Sequence, residues 1–523
     1  MKGFLAALFL LCWATGGVGR AAPPTPADLA TRIDSQLAAA FPGGVMPAPE
    51  ATDAEFLRRA YLDVVGRIPR VPEARRFLDS ASPDKRGALV EELLSSPEYH
   101  VHAAQNWRQL LVPQATSNLR VQHLGMSVEA WVRDLLGRGA KDDEVVRRLL
   151  TARLDYLEWT ADKRPSIRSQ LSPVGFYQIN DLKPETVSAS VSRAFLGLKL
   201  ECAQCHDHPF DRWTQQQAWE TAAFFAGVPP LEPDIVPAPQ LALRRTLKVA
   251  ETDRPASARF LDGSEPAWGA EPDPRRTFAG WLTDRKNPYF APVMANRIWA
   301  RYFGVGLVDP PDDWGPHNPP SHPELLQGLA AAYAESGFDE RYLARVIAST
   351  RAYRRSSRRP AGEATTDRLY AAMTVKPLSA EQLFDSLGVA TGYRDPTPLS
   401  ARLATGWPPE SPRGQFLAKF GGGGSRTDAQ VSILQALSLM NGAWTTRQTD
   451  PVQGEVLRAV THAPFLTPER QVETLFLGTL SRRPTPEESR RYLAHVRDAG
   501  DTGQGLSDVL WVLINSEEFL VNR

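Results

Sequence analysis

Apolar positions in this chain recur mostly at three- and four-residue steps, a spacing that predicts helices and few strands. Phe56, Leu57, Ala60, Tyr61, Val64 and Val65 define one such face. The pattern covers 128–136, 144–150, 185–196 and 214–225, and returns over 289–303, 322–335, 340–349 and 379–389. Near the end it covers 430–440, 468–480, 486–496 and 506–515. Pro72, Ser82-Pro83 and Ser96-Pro97 sit where helices would start. Proline is tolerated in a first turn because the N–H it lacks has no helical partner there. Ser321 and Glu324 have the spacing of a capping box, with Pro323 between them.

Two stretches interrupt the helical period. Residues 22–52 are Pro-rich around a short amphipathic piece (29–41) and read as a lead-in segment. Between 228 and 273 prolines cluster, and β-like runs at 241–249 and 258–261 appear. The expected fold is therefore mainly α: two large helical domains, 53–227 and 274–523, joined by an irregular, partly β connector. Gly421 to Gly424 reads as a loop and lacks the pattern that cradles phosphate.

The chain has 523 residues with 42% hydrophobic content, enough for sizeable cores. Lys+Arg and Asp+Glu both number 60, so no net field favours nucleic acid or an anionic membrane. Lys2, the apolar run 4–15 and the small residues of 16–22 have the anatomy of a secretory signal peptide (1–21), with cleavage expected after Ala21. Cleavage removes Lys2 and Arg20 and no acid, leaving a mature chain at −2. No later stretch reaches the ~20 apolar residues of a membrane span. The expected location is periplasmic, secreted or at the cell surface.

Export sharpens the cysteine count. Cys12 falls in the signal, so the mature chain keeps only Cys202 and Cys205, too few for a disulfide scaffold. They belong to Cys202-Ala203-Gln204-Cys205-His206, the spacing of c-type haem attachment. In that motif the two thiols anchor the macrocycle and the histidine ligates the iron. Rival readings stand beside it. The pair could close as a small disulfide, or Cys202, Cys205, His208 and Asp211 could form a zinc-type set. A Cys-His nucleophile is weaker, because no oxyanion motif accompanies it. His102, His123, Met126, His317 and His322 are open candidates for a sixth ligand; His208 lies too close along the chain to reach the opposite haem face. A second chemical stretch, 296–326, mixes Trp299, Tyr302, Phe303 and Trp314 with Asp309, Asp312, Asp313 and His317, suiting a pocket or a cation site.

Several of these runs carry a family resemblance. FLRRAYLD (56–63), GRIP (66–69) and ECAQCHDHPFDRW (201–213) resemble the planctomycete cytochrome-associated domain of unknown function 1549. The run 287–326, QALSLMNG (435–442) and VLINSEEFL (512–520) resemble its partner, domain of unknown function 1553. The resemblance implies an exported chain whose CxxCH maps onto Cys202, Cys205 and His206, with a sulfatase-like exported protein as a partner. Two departures stand out. Asn106-Trp107 replaces a histidine-tryptophan pair found in many relatives, and the second cysteine-containing stretch many carry near 421–426 is absent. The expected function is redox or electron-transfer support of an extracytoplasmic degradative system, with haem c as cofactor and His206 on the iron. The alternatives are a non-redox exported scaffold or binding protein with a metal or disulfide staple, and a metal-dependent hydrolase using the 309–317 loop.

Overall fold

The computed structural model describes residues 23–116, 118, 120–154, 171–229, 243–269, 273–359, 367–396, 410–421 and 438–523. Residues 1–21, expected as a signal peptide, the glycines 422–424 and most of the helix expected over 430–440 lie outside them. The fold is mainly α. Many helices open where the side chains dictate. Ser96, Thr467 and Thr485 accept from the backbone N–H of the third residue of their helices, and proline follows each directly.

The first half stacks Asp53–Val65 on Lys85–Ser95 and Pro97–Leu111, then Pro97–Leu111 on Gln122–Gly137. Phe290–Phe303 and Pro323–Glu335 pair in the second half, and Pro468–Leu480, Pro486–Asp498 and Thr502–Ile514 form a terminal bundle. The connector contributes one small ribbon, Thr246–Lys248 antiparallel to Pro255–Ser257. Its second strand lies just before the run expected at 258–261. Among the described residues no helix is long and apolar enough to cross a membrane.

The apolar cores run across the connector, which adds Phe260 and Leu261 to the larger one. One large core joins Ile33, Phe56 and Phe195 to Phe278, Trp299 and Tyr353. The second joins Leu62 and Ile68 to Leu383, Phe476, Leu510 and Phe519 of the terminal bundle. Burial of this kind is worth ~25 cal/mol per Å² of apolar surface, so the two halves stabilise one another. The lead-in segment takes part: Pro26–Ala39 buries Leu29, Ile33 and Leu37 against Glu340–Ser349, and Asp34 accepts from Arg351 N and Ala352 N.

The FLRRAYLD run is the hub between the cores. Arg58 donates to the carbonyls of Thr479 and Phe519, and Arg59 to those of Arg355 and Arg523. Asp63 accepts from Tyr353 Oη at 2.9 Å, Lys376 Nζ at 2.7 Å and Asn522 Nδ2 at 2.8 Å. Lys376–Pro377 pairs with Val521–Asn522 as a two-residue ribbon beside it. Buried charge survives only when paired and hydrogen-bonded, and here it is. This run has a structural role.

One expected cap is corrected. The Pro323–Glu335 helix is capped by His322, and Ser321 lies one residue too early to accept from its first turn. Pro323 takes the first helical position, which makes the residue before it the cap. The Ser321 hydroxyl contacts His322 Nδ1 instead, at 3.0 Å.

Candidate functional site

The cysteine motif sits on a short irregular path between two helices. Pro184–Val191 runs into a π-helical turn, Ser192–Leu196, which ends at Gly197 in the left-handed region (φ 69°). A single 3-10 turn, Leu200–Ala203, follows and presents Cys202. Thr214 and Gln217 then cap the Gln215–Ala222 helix reciprocally.

This turn is pinned from the inside. Ala203 is fully buried, while Cys202, Cys205 and His206 are exposed. Gln215 Nε2 donates to the carbonyls of Gln204 and Cys205, at 3.2 and 3.0 Å. Trp219 Nε1 donates to the same Gln204 carbonyl, and Gln204 Nε2 reaches Glu185 O. Asp207 Oδ1 accepts from Gln215 N at 2.8 Å. The backbone is fixed and the reactive side chains point outward.

Both thiols are free. His206 Nδ1 lies 2.7 Å from the Asp207 carbonyl. A carbonyl only accepts, so Nδ1 carries the proton, and in the neutral ring the lone pair is on Nε2. That is the tautomer a metal-ligating histidine needs. Phe210 beside it is 82% exposed, with its N–H bonded to His208 Nδ1.

The zinc-type set is not gathered. Among the described residues no cluster of three or more His, Cys, Asp and Glu side chains is placed to hold a metal ion. His208 Nδ1 is occupied by Phe210 N, and Asp211 turns away to accept from Arg212 N and to lie over Gly315. After Ala203 this segment is a loop, and in it His208 and Asp211 are engaged by backbone N–H groups rather than turned to the thiols.

The sixth-ligand candidates scatter. His102 is buried under Gly66, Met126 packs with Ala380 and Leu417, and His123 is exposed on the Gln122–Gly137 helix. His322 packs on Tyr370. His317 alone of the five is drawn to the motif's segment. A Cβ at Gly315 would stand 2.6 Å from His317 Cε1 and 3.1 Å from Asp211 Oδ2, so both side chains cover the same bare backbone.

The two chemical stretches of the sequence are thus neighbours in space. Trp314 N donates to the Gly197 carbonyl at 3.1 Å, and Asp313 Oδ1 lies 3.2 Å from Lys199 Nζ and 3.5 Å from His317 Nε2. Arg297 donates to the carbonyls of Arg193 and Ala194, at 2.6 and 3.1 Å, in the π-turn. Such π-turns often mark functional sites. Asn296 clamps Val308 through both its amide atoms and so fixes the start of the acidic loop.

Between Pro97–Leu111, Phe290–Phe303 and that loop lies a cavity of about 580 Å³. Asn106, Trp107, Lys199, Arg297, Asp309 and Asp312 are among its walls. Burial pushes the Arg297 guanidinium down to about 10, and Asp312 only partly offsets this. Arg301, also lining it, is pulled down by burial but raised on balance by Glu340, 2.6 Å away. Sequence reasoning missed Lys199 and Arg297. The available signal was a pair of arginines, 297 and 301, spaced four apart on an otherwise apolar helix face.

Residues 32–229 match the family PSCyt2, described as protein of unknown function (DUF1549). Residues 274–410 match PSD1, described as protein of unknown function (DUF1553). The chain belongs to the paired DUF1549–DUF1553 family. The chain matches no curated protein and no solved structure. In this DUF1549–DUF1553 protein the CxxCH segment lies in the first matched region. Arg297, Asp313, Trp314 and Gly315, which hold that segment, lie in the second.

Proposed function

We propose that this DUF1549–DUF1553 protein is exported and carries one covalent haem on Cys202 and Cys205, with His206 as axial ligand, in redox support of an extracytoplasmic degradative system. The observation that carries the reading is the pinned turn, with two free, exposed thiols and a histidine whose Nε2 is left open. The residues fit the group. Both sulfurs are exposed and free to be alkylated, while the backbone between them is held by Gln215 and Trp219. When bound, haem supplies one-electron chemistry. The chain's own part is to hold the axial nitrogen, through Asp207, and to fix the attachment turn, through Gln215 and Trp219.

Export fits the same reading, since c-type attachment takes place outside the cytoplasm and residues 1–21 have signal-peptide anatomy. A sulfatase-like exported protein is the partner this reading favours. Absorption spectroscopy of protein co-expressed with a c-type maturation system tests the proposal. A Soret band that survives denaturation and extraction supports covalent attachment; a colourless protein with zinc bound would replace it with the staple reading.

A further inference from the structure

The cavity walls hold an imbalance that the redox reading does not use. Half of the charged side chains lining the space are matched by ion pairs: Arg301 with Glu340 at 2.6 Å, and Lys199 with Asp313 at 3.2 Å. Arg297 is different. Its Nε and one Nη are committed to the Ala194 and Arg193 carbonyls, its other Nη has no protein partner, and it forms no ion pair among the described residues. Asp312 across the cavity likewise forms no hydrogen bond or ion pair among the described residues, although it is near enough to act on Arg297 through space. Arg297 and Asp312 therefore line the same cavity without an ion pair between them, beside Asp309, whose carboxylate is held by the Gly306 N–H at 3.3 Å. The Asn106 amide also has no hydrogen-bond partner among the described residues, and Trp107, Leu110 and Ile298 supply an apolar wall.

We infer that this cavity binds a small zwitterion, a free amino acid or dipeptide, with its carboxylate on Arg297 and its ammonium on Asp312. A simple anion would neutralise Arg297 and set a second negative charge against Asp312. A neutral sugar would leave both charges without a counter-charge in a partly desolvated space, where unpaired charge is costly. A ligand with both groups a few ångström apart satisfies the two together, and its side chain meets the apolar wall. About 580 Å³ accommodates an amino acid or dipeptide with bridging water. The inference goes beyond the redox reading and stands whether or not haem is attached. Because Arg297 also holds the π-turn leading to Cys202, an occupant of the cavity rests on the element that presents the motif.

The test uses the full mature chain without haem loading, screened by calorimetry against free L-amino acids, dipeptides, their N-acetylated and C-amidated forms, glucose and acetate. Members of the zwitterion set are expected to raise the thermal midpoint. N-acetylation or Asp312→Asn should each weaken the best ligand at least tenfold. Amidation should do the same. Asp312 lies on a half-buried loop, so its variant folds even if an Arg297 variant does not. Binding by no zwitterion would overturn the inference. So would equal binding of capped forms or glucose, or an Asp312→Asn protein that binds as the parent does.

Discussion

Trp314 lies directly against Gly197: its N–H donates to the Gly197 carbonyl at 3.1 Å, and its ring occupies the space a side chain at 197 would need. A Cβ there would stand 2.3 Å from Trp314 Cδ1, and the φ of 69° disfavours any L side chain. Gly197 belongs to the DUF1549 region and Trp314 to the DUF1553 region. The second region thus helps to shape the segment that carries the cysteine motif.

Gly197→Ala should therefore destabilise the chain by about 2 kcal/mol or more, combining left-handed strain with the clash. In a Trp314→Ala background the same change should cost only the backbone part, about 1 kcal/mol. Urea unfolding of the four proteins measures the coupling. Equal costs in both backgrounds would show that the ring contact is immaterial.

Lys376→Met should cost about 3–5 kcal/mol, because it leaves Asp63 buried without its cation. Adding Asp63→Asn should recover part of that loss, since it removes the unpaired charge while the amide oxygen can still accept from Asn522 Nδ2 and the amide NH2 can donate to the Tyr353 hydroxyl oxygen. Chemical denaturation of single and double variants checks the order.

Asp142 gives a pH signature. Burial, then repulsion from Glu340, raises its carboxyl well above the usual range, while the Tyr333 hydroxyl bonded to it and Arg301 act in the opposite direction. The folded state therefore holds a proton that the unfolded state releases above about pH 4. Stability should fall as pH rises from there towards the raised folded pKa, with a slope of up to about 1.4 kcal/mol per pH unit. Asp142→Asn should match the parent near pH 4 and exceed it at neutral pH. A variant less stable than the parent at pH 7 would contradict this.

Cys202→Ala in the haem-free chain should change stability by less than about 0.5 kcal/mol, since the side chain is exposed and unpaired. Thermal unfolding measures it. A loss of several kcal/mol would mean that the pair acts as a staple.

How far the sequence reached depended on the range of the interaction. Helix starts such as Thr467-Pro468 and Thr485-Pro486 are local and were readable. The thiol-histidine spacing at 202–206 is local too. The lead-in helix was legible as amphipathic, but its role in the main core depends on Glu340–Ser349, some 300 residues away. The meeting of Leu62 and Ile68 with the terminal bundle is equally long-range. The zinc-type set rested on spacing alone; among the described residues His208 and Asp211 are bonded to the Phe210 and Arg212 N–H groups, a detail that spacing does not carry. His317 was one of five candidate ligands in the sequence, and only the fold sets it beside Asp211.

The most direct measurement is intact mass after co-expression with a c-type maturation system, taken on the parent and on a Cys202→Ala/Cys205→Ala variant under denaturing conditions. The account predicts a parent mass increased by one haem, with loss of the signal segment, and a variant of matching fold with no increment. An unmodified parent mass, with both thiols still free to alkylation, would contradict it.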